Sequence, residues 1–358
     1  MNNEEGLGRM KQHNWVASVL VVGLSVLGGL LAPVAVHADS TVGDIWYTTF
    51  SGTDRVFKRS YNFDGVALTY GGEVVISSTT LGLGGADGLV FDPTDGNFLL
   101  VGGQNKEIYR VNIGTGAVTP STPTAGDNFH LAITPGLSTV LGFGTENGGG
   151  TLVNSVGITP FNVGNSTFTI AGDDLKITGI AFDGTGAAYY TNSVGAGGGG
   201  GASFGTATAA GGVITTTRLL IDDAAHGITF DPFTGSFILV GDNKIAQYKP
   251  GSGIISTYLP GGSNVFDQAS IDGNGHLFAA SNDGDMLFID YAASGLVGGG
   301  SNFTDIRFFR DTLDDVAPLT RPIERGPIPE PASMLLFGLG GLGAAFTRRR
   351  RSSKLSTV

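Results

Sequence analysis

Short apolar runs recur along the middle of the chain, each followed by a turn rich in Pro, Gly and Asp and then by a second apolar run. Five segments share this rhythm: GLVFDPTDGNFLLVGG, HLAITPGLSTVLGFG, GIAFDGTGAAYYTNS, GITFDPFTGSFILVGD and QASIDGNGHLFAASN. Their aligned positions are Asp92, Thr134, Asp183, Asp231 and Asp272, spaced 42, 49, 48 and 41 residues apart. Two short strands around such a turn make a hairpin. A third run follows most of them (EIYRVNI, KIAQYKP, DMLFIDY). Then come a Gly turn and a more polar fourth run such as GVITTTRLLI or GIISTYL.

Four strands every ~45 residues is the pattern of a β-propeller blade. The stretch GDIWYTTFSGTDRVFKRS at 43–60 has second- and third-strand character with no first strand before it. DDVAPLT at 314–320 reads as a first strand with nothing after it. Joining the two makes a sixth blade from both ends and leaves no open sheet edge. The expectation is an all-β fold, a propeller of six four-stranded blades over about residues 41–322. A seventh blade or a looser sandwich is the alternative.

Composition agrees with a turn-rich β protein. Glycine accounts for 60 of 358 residues, against a usual ~7%. The glycines cluster between apolar runs, as turns require. The formal charge is −11, and taking away Arg348 to Arg351 and Lys354 leaves −16. So acidic a body repels phosphate backbones, and nucleic acid is excluded as a partner. With no cysteine, thiolate catalysis and Cys-based zinc sites are excluded too.

The two ends differ from the body. Arg9 and Lys11 precede the apolar run WVASVLVVGLSVLGGLLAPVAV, and VHADS offers a cut between Ala38 and Asp39. That is the plan of a secretory signal peptide over 1–38; an uncleaved membrane helix is the alternative, and either means export. At the other end, a Pro-rich linker (323–331) leads to an apolar run from Ala332 to Phe346 and a basic tail at 348–358. The run has 15 residues, short of the ~20 needed to span a bilayer comfortably. Four arginines would hold its end on the cytoplasmic side. It predicts a short apolar helix over 332–347 that acts as a transient anchor.

Pro329, Glu330 and Pro331, the Gly-rich apolar run and Arg348, Arg349, Arg350 and Arg351 together resemble the PEP-CTERM sorting signal of Gram-negative bacteria. The resemblance implies processing by an exosortase, brief residence in the inner membrane, and delivery to the cell surface or outside. It also implies bacteria that make an extracellular polysaccharide or biofilm matrix. The FDPxxGxFxLV phrasing of the body is similar to NHL-, YVTN- and gluconolactonase-like propellers. Most of that phrase is turn chemistry, because Pro93 and Pro232 pre-set the turn.

Aligning the first strands places Asp87, Phe129, Thr178, His226, Asp267 and Asp315 at one level of the central channel, with His130 and Gln268 beside them and Asp223 nearby. Convergent Asp and His side chains suit a divalent cation, and Asp87, His226 and Asp267 are the candidate ligands. The gluconolactonase-like resemblance implies a metal at the channel mouth, but its glutamate and asparagine ligands have no counterpart here. The alternative is that these groups hydrogen-bond neighbouring blades as channel lining. No G-x-S-x-G, H-E-x-x-H or P-loop lysine motif is present.

The expected function is therefore an exported, non-catalytic binding or structural component of the cell surface or polysaccharide matrix. Its expected partners are an exosortase and then extracellular polysaccharide or matrix proteins, with Trp46 and the tyrosines as candidate sugar-stacking groups. The alternative is a metal-dependent sugar or lactone hydrolase or lyase at the channel mouth.

Overall fold

The computed structural model describes residues 40–51, 56–77, 86–103, 105–143, 152–193, 202–262 and 264–318. The signal peptide with its Ala38–Asp39 cut, the linker at 323–331, the apolar run and the basic tail lie outside the described residues. Among those described, every regular element is a strand.

The strands come in consecutive runs. The first holds β1 (Thr41–Thr49), β2 (Phe57–Phe63), β3 (Leu68–Tyr70) and β4 (Val74–Val75). Next come β5 (Ala86–Phe91), β6 (Phe98–Gly103), β7 (Tyr109–Asn112) and β8 (Val118–Pro120), followed by β9 (His130–Ile133), β10 (Thr139–Phe143), β11 (Leu152–Gly157) and β12 (Ser166–Gly172). A further run is β13 (Gly179–Phe182), β14 (Ala188–Asn192), β15 (Ser203–Ala210) and β16 (Val213–Ile221). After it stand β17 (Gly227–Asp231), β18 (Ser236–Gly241), β19 (Lys244–Lys249) and β20 (Gly253–Tyr258). The last are β21 (Phe266–Ile271), β22 (His276–Ser281), β23 (Asp285–Asp290), β24 (Phe303–Phe308) and β25 (Leu313–Pro318).

Within each run successive strands pair antiparallel, except that β4 pairs with β2 and β25 leaves the last run. Two runs are joined into one larger sheet where β12 pairs parallel with β16. The last strand, β25, returns to pair with β1, so that the sheet order there is β25-β1-β2-β3. First strands touch first strands around a closed ring: β25 to β5, β5 to β9, β9 to β13, β13 to β17, β17 to β21 and β21 back to β25.

Burial falls off outward from that ring. The second strands β18 and β22 are buried along their whole length, whereas the fourth strands β20 and β24 keep exposed positions. Between the sheets lie aromatic and aliphatic layers. In one of them Ile45, Tyr47, Phe57, Tyr61 and Phe63 pack on Phe278 and Phe288, and the Tyr61 and Phe278 rings meet edge to face at 4.9 Å.

The repeated aspartate is a turn residue. Asp92 accepts from the Thr94 N–H at 2.8 Å and Asp183 from Thr185 at 2.8 Å. Asp231 accepts from Phe233 at 3.0 Å and Asp272 from Asn274 at 2.7 Å. A carboxylate that bonds the backbone two residues on is an Asx turn. The small residues of the first strands answer to close approach. A Cβ on Gly88 would stand 2.8 Å from the Phe129 carbonyl oxygen, and one on Gly227 would stand 2.3 Å from that of Asp267. Glycine lets neighbouring first strands approach this near.

Candidate functional site: a buried ring of acids and imidazoles

Regular alternation would send successive side chains of a first strand to opposite faces. Three of these strands break that rule where their acids sit. In β5, Ala86 pairs with Gly103 and Leu89 with Val101, so Asp87 and Gly88 share one opposing residue. In β21, Phe266 pairs with Ser281 and Gln268 with Ala280, which leaves Asp267 as the extra residue. In β25, Asp314 and Asp315 together face Thr48, between the Leu313–Thr49 and Val316–Tyr47 pairs. A β-bulge re-aims a side chain, and here the bulges carry Asp87, Asp267, Asp314 and Asp315.

The re-aimed acids meet two imidazoles. His226, just ahead of β17, sets Nε2 2.6 Å from Asp267 Oδ1. His130, opening β9, sets Nδ1 3.5 Å from Asp315 Oδ1 and 3.9 Å from Asp267 Oδ2. The two rings lie nearly perpendicular with centroids 5.8 Å apart. Asp87 is 2% exposed, Asp267 and Asp315 are 1% exposed, and His130 is 1%. The His226 side chain is more open, at 14%.

Backbone contacts tie the cluster to neighbouring strands. Asp315 Oδ2 accepts the Leu89 N–H at 2.9 Å, linking β25 to β5. Thr48 Oγ1 donates to the Asp87 carbonyl at 2.7 Å and accepts from the Asp315 N–H at 3.2 Å. Thr178 Oγ1 donates to the His226 carbonyl at 2.9 Å and accepts from the Ser193 N–H at 3.0 Å. Thr178 thus fastens one blade to the next and contributes no free functional group.

Burial divides the four acids into two kinds. Asp267 is held well below the usual carboxylate range: burial penalises its charge, but His226 and His130 outweigh that penalty. Asp87 is pushed up to about 8, first by burial and then by Asp267 and Asp315, against the Asp314 hydrogen bond and His130. Burial likewise raises Asp314 well above the ordinary value, with Asp87 and Asp267 adding like-charge repulsion. Asp315 is raised by burial and partly relieved by His130. The ring sets one carboxyl with a lowered pKa among three with raised ones.

Beyond the cluster, along the same strands, the channel holds a cavity of about 210 Å3 lined by Leu89, Leu131, Ile180, Ile228, Gln268 and Val316 among others. The charged residues therefore cap one end of the channel.

Of the residues aligned from sequence, Asp87, His226, Asp267 and Asp315 do converge, with His130 rather than Phe129 completing the group. Asp223 is exposed and stands apart. Asp314 is the member that sequence alignment missed; its only signal was the adjacent pair of acids in DDVAPLT. The sugar-stacking expectation for Trp46 is overturned: Trp46 is 3% exposed and packs edge to face on Phe91 at 5.0 Å. Nor is any tyrosine of the chain exposed.

With fold and ring in view, comparison with known proteins gives the class. The PEP-CTERM protein-sorting motif matches residues 327–351. It marks an exported protein that an exosortase processes. TolB from Acinetobacter baumannii superposes with a TM-score of 0.53 at 15% identity, over 77% of this chain and 66% of that one. A catalytically inactive virginiamycin B lyase from Staphylococcus aureus, solved with quinupristin, superposes with a TM-score of 0.46 at 14% identity. It covers 75% of this chain and 88% of that one. No curated protein matches in sequence. At such identities the TolB likeness is one of fold alone, and with the strand ring it defines a β-propeller. This chain is such a propeller carrying an exosortase sorting motif.

Proposed function

We propose that this chain is a six-bladed, exported propeller serving as a non-catalytic structural or binding component of the cell surface or its polysaccharide matrix. The observation that carries this reading is the closure of the ring. Its convergent acids are 1–5% exposed, and the Asp315 carboxylate and the Asp87 carbonyl bond neighbouring strands. A hydrolase would need these carboxylates to reach a substrate and water. Here they clamp blades together. The acidic body would meet acidic polymers through bridging divalent cations.

The test is matrix association in cells that carry the chain with Asp87→Ala or His226→Ala. Retained association with lowered stability supports the structural reading. Hydrolysis of sugar lactones by the purified wild type, lost in both variants, would overturn it. Removing residues 327–351 should abolish processing and surface delivery, read by cell fractionation.

A further inference from the structure

We infer that His130, His226 and Asp267 bind one divalent transition-metal ion of the zinc class, and that the ion fastens three first strands of the ring. A nitrogen from each imidazole and an oxygen of Asp267 lie within 4.8 Å of one another. Zinc bonds of ~2.0–2.2 Å place tetrahedral ligands about 3.3 Å apart, so the site forms once the wider gaps contract and the 2.6 Å His226–Asp267 pair opens. Three separate strands supply the ligands: β9, the entry to β17, and β21.

A second observation points to a cation. Four buried acids, Asp87, Asp267, Asp314 and Asp315, face only two imidazoles. No N–H reaches either oxygen of Asp87; its carboxyl meets that of Asp314, with His130, Asp267 and Asp315 around it. Buried polar atoms in native proteins are satisfied by a partner, by water or by an ion. A doubly charged ion held by Asp267 would supply a positive centre for the carboxyl oxygens that surround it.

The donor set selects the ion. Imidazole nitrogen with one carboxylate suits zinc and its neighbours, while calcium asks for six to eight oxygens. The all-acid group Asp267, Asp314 and Asp315 offers three carboxylates with almost no exposure, and hence little room for the waters calcium would add. At His226 the ion would displace the proton shared with Asp267 across 2.6 Å. The ligands differ from the glutamate and asparagines of gluconolactonase-like sites.

The experiment uses the full chain, purified in mild detergent, stripped with chelator and titrated with Zn2+ and with Co2+ as a spectroscopic probe. The expected result is one ion per chain and the visible absorption of four-coordinate Co2+. At a hundredfold excess over Kd, the melting temperature should rise by about 5 °C. His130→Gln and Asp267→Asn should each weaken binding at least ~100-fold. His276→Gln, which alters a buried imidazole paired with Asp272 elsewhere, should leave binding intact. Wild-type protein that takes up neither ion overturns the inference. So does binding of Ca2+ alone, or Zn2+ binding that His130→Gln does not weaken. The wild-type stoichiometry and Co2+ spectrum decide the matter even where a variant fails to fold.

Discussion

His226 Nε2 and Asp267 Oδ1 lie 2.6 Å apart across two neighbouring first strands, with the carboxylate all but sealed from solvent. Removing one partner of a buried pair strands the other, at about 3–5 kcal/mol. Asp267→Asn should therefore lower unfolding free energy by that amount in urea titrations. Asp87→Asn should stay within ~1 kcal/mol of wild type, since an amide can donate to the neighbouring Asp314 carboxyl where two acids now meet. Equal costs for the two variants would contradict the division of the ring into one acid with a lowered pKa and several with raised ones.

Thr48 holds the closing strand to the ring through two hydrogen bonds, one to the Asp87 carbonyl and one from the Asp315 N–H. Thr48→Val keeps the shape and removes both, leaving two buried backbone groups unpaired. A loss of about 1–3 kcal/mol is expected. Hydrogen exchange should show the change first in β25 and β5; uniform loss of protection throughout the sheets would place closure elsewhere.

Asp174 gives a pH dependence of definite sign. Burial opposes its charge, but Arg218, Tyr190 and Ser203 all bond the carboxylate and hold its pKa below the ordinary value. A group whose pKa is lower folded than unfolded contributes stability above its unfolded pKa of ~4 and loses it as pH falls through the folded value. Urea midpoints should therefore fall as the solution is taken from pH 5 towards pH 3. In Asp174→Asn the fall should be shallower, from a lower starting point at pH 7.

Gly227 marks the tightest approach between first strands, with the Asp267 carbonyl oxygen 2.3 Å from where a Cβ would stand. Gly227→Ala must push β17 from β21, at about 1–3 kcal/mol or more. Gly251→Ala, with open space around it, should show only the strain of its positive φ. Thermal melts of the two variants separate crowding from backbone strain.

Much of this fold is legible in the sequence because a blade is a local unit. The spacing of Asp92, Asp183, Asp231 and Asp272 follows from Asx turns whose bonds span two to four residues, while Thr134 closes its turn by donating to the Thr139 carbonyl. Even the pairing of the two distant ends, β25 with β1, could be read as a first strand missing from one blade and supplied at the other end. The ring itself was less readable. Periodicity assumes unbroken alternation, whereas the bulges at Asp87, Asp267 and Asp314–Asp315 turn side chains against it. Alignment therefore put Asp87, His226, Asp267 and Asp315 at one level, placed Phe129 in the aligned slot with the ring candidate His130 beside it, and passed over Asp314. Trp46 was misjudged for a related reason: its strand belongs to a blade built from both ends, and the layer that covers it, with Phe91, Leu99 and Ala317, comes from elsewhere in the chain.

The return of β25 to β1 also sets an order of events. The strand that seats Asp314 and Asp315 between β21 and β5 is made some 260 residues after its partner strand. Until then the ring lacks one side, and the most distant contact of the fold, with the costliest loop to close, waits for the end of synthesis. A chain bound for export gains from that delay: it can be threaded across a membrane while its native state is still out of reach, and can snap shut on the far side.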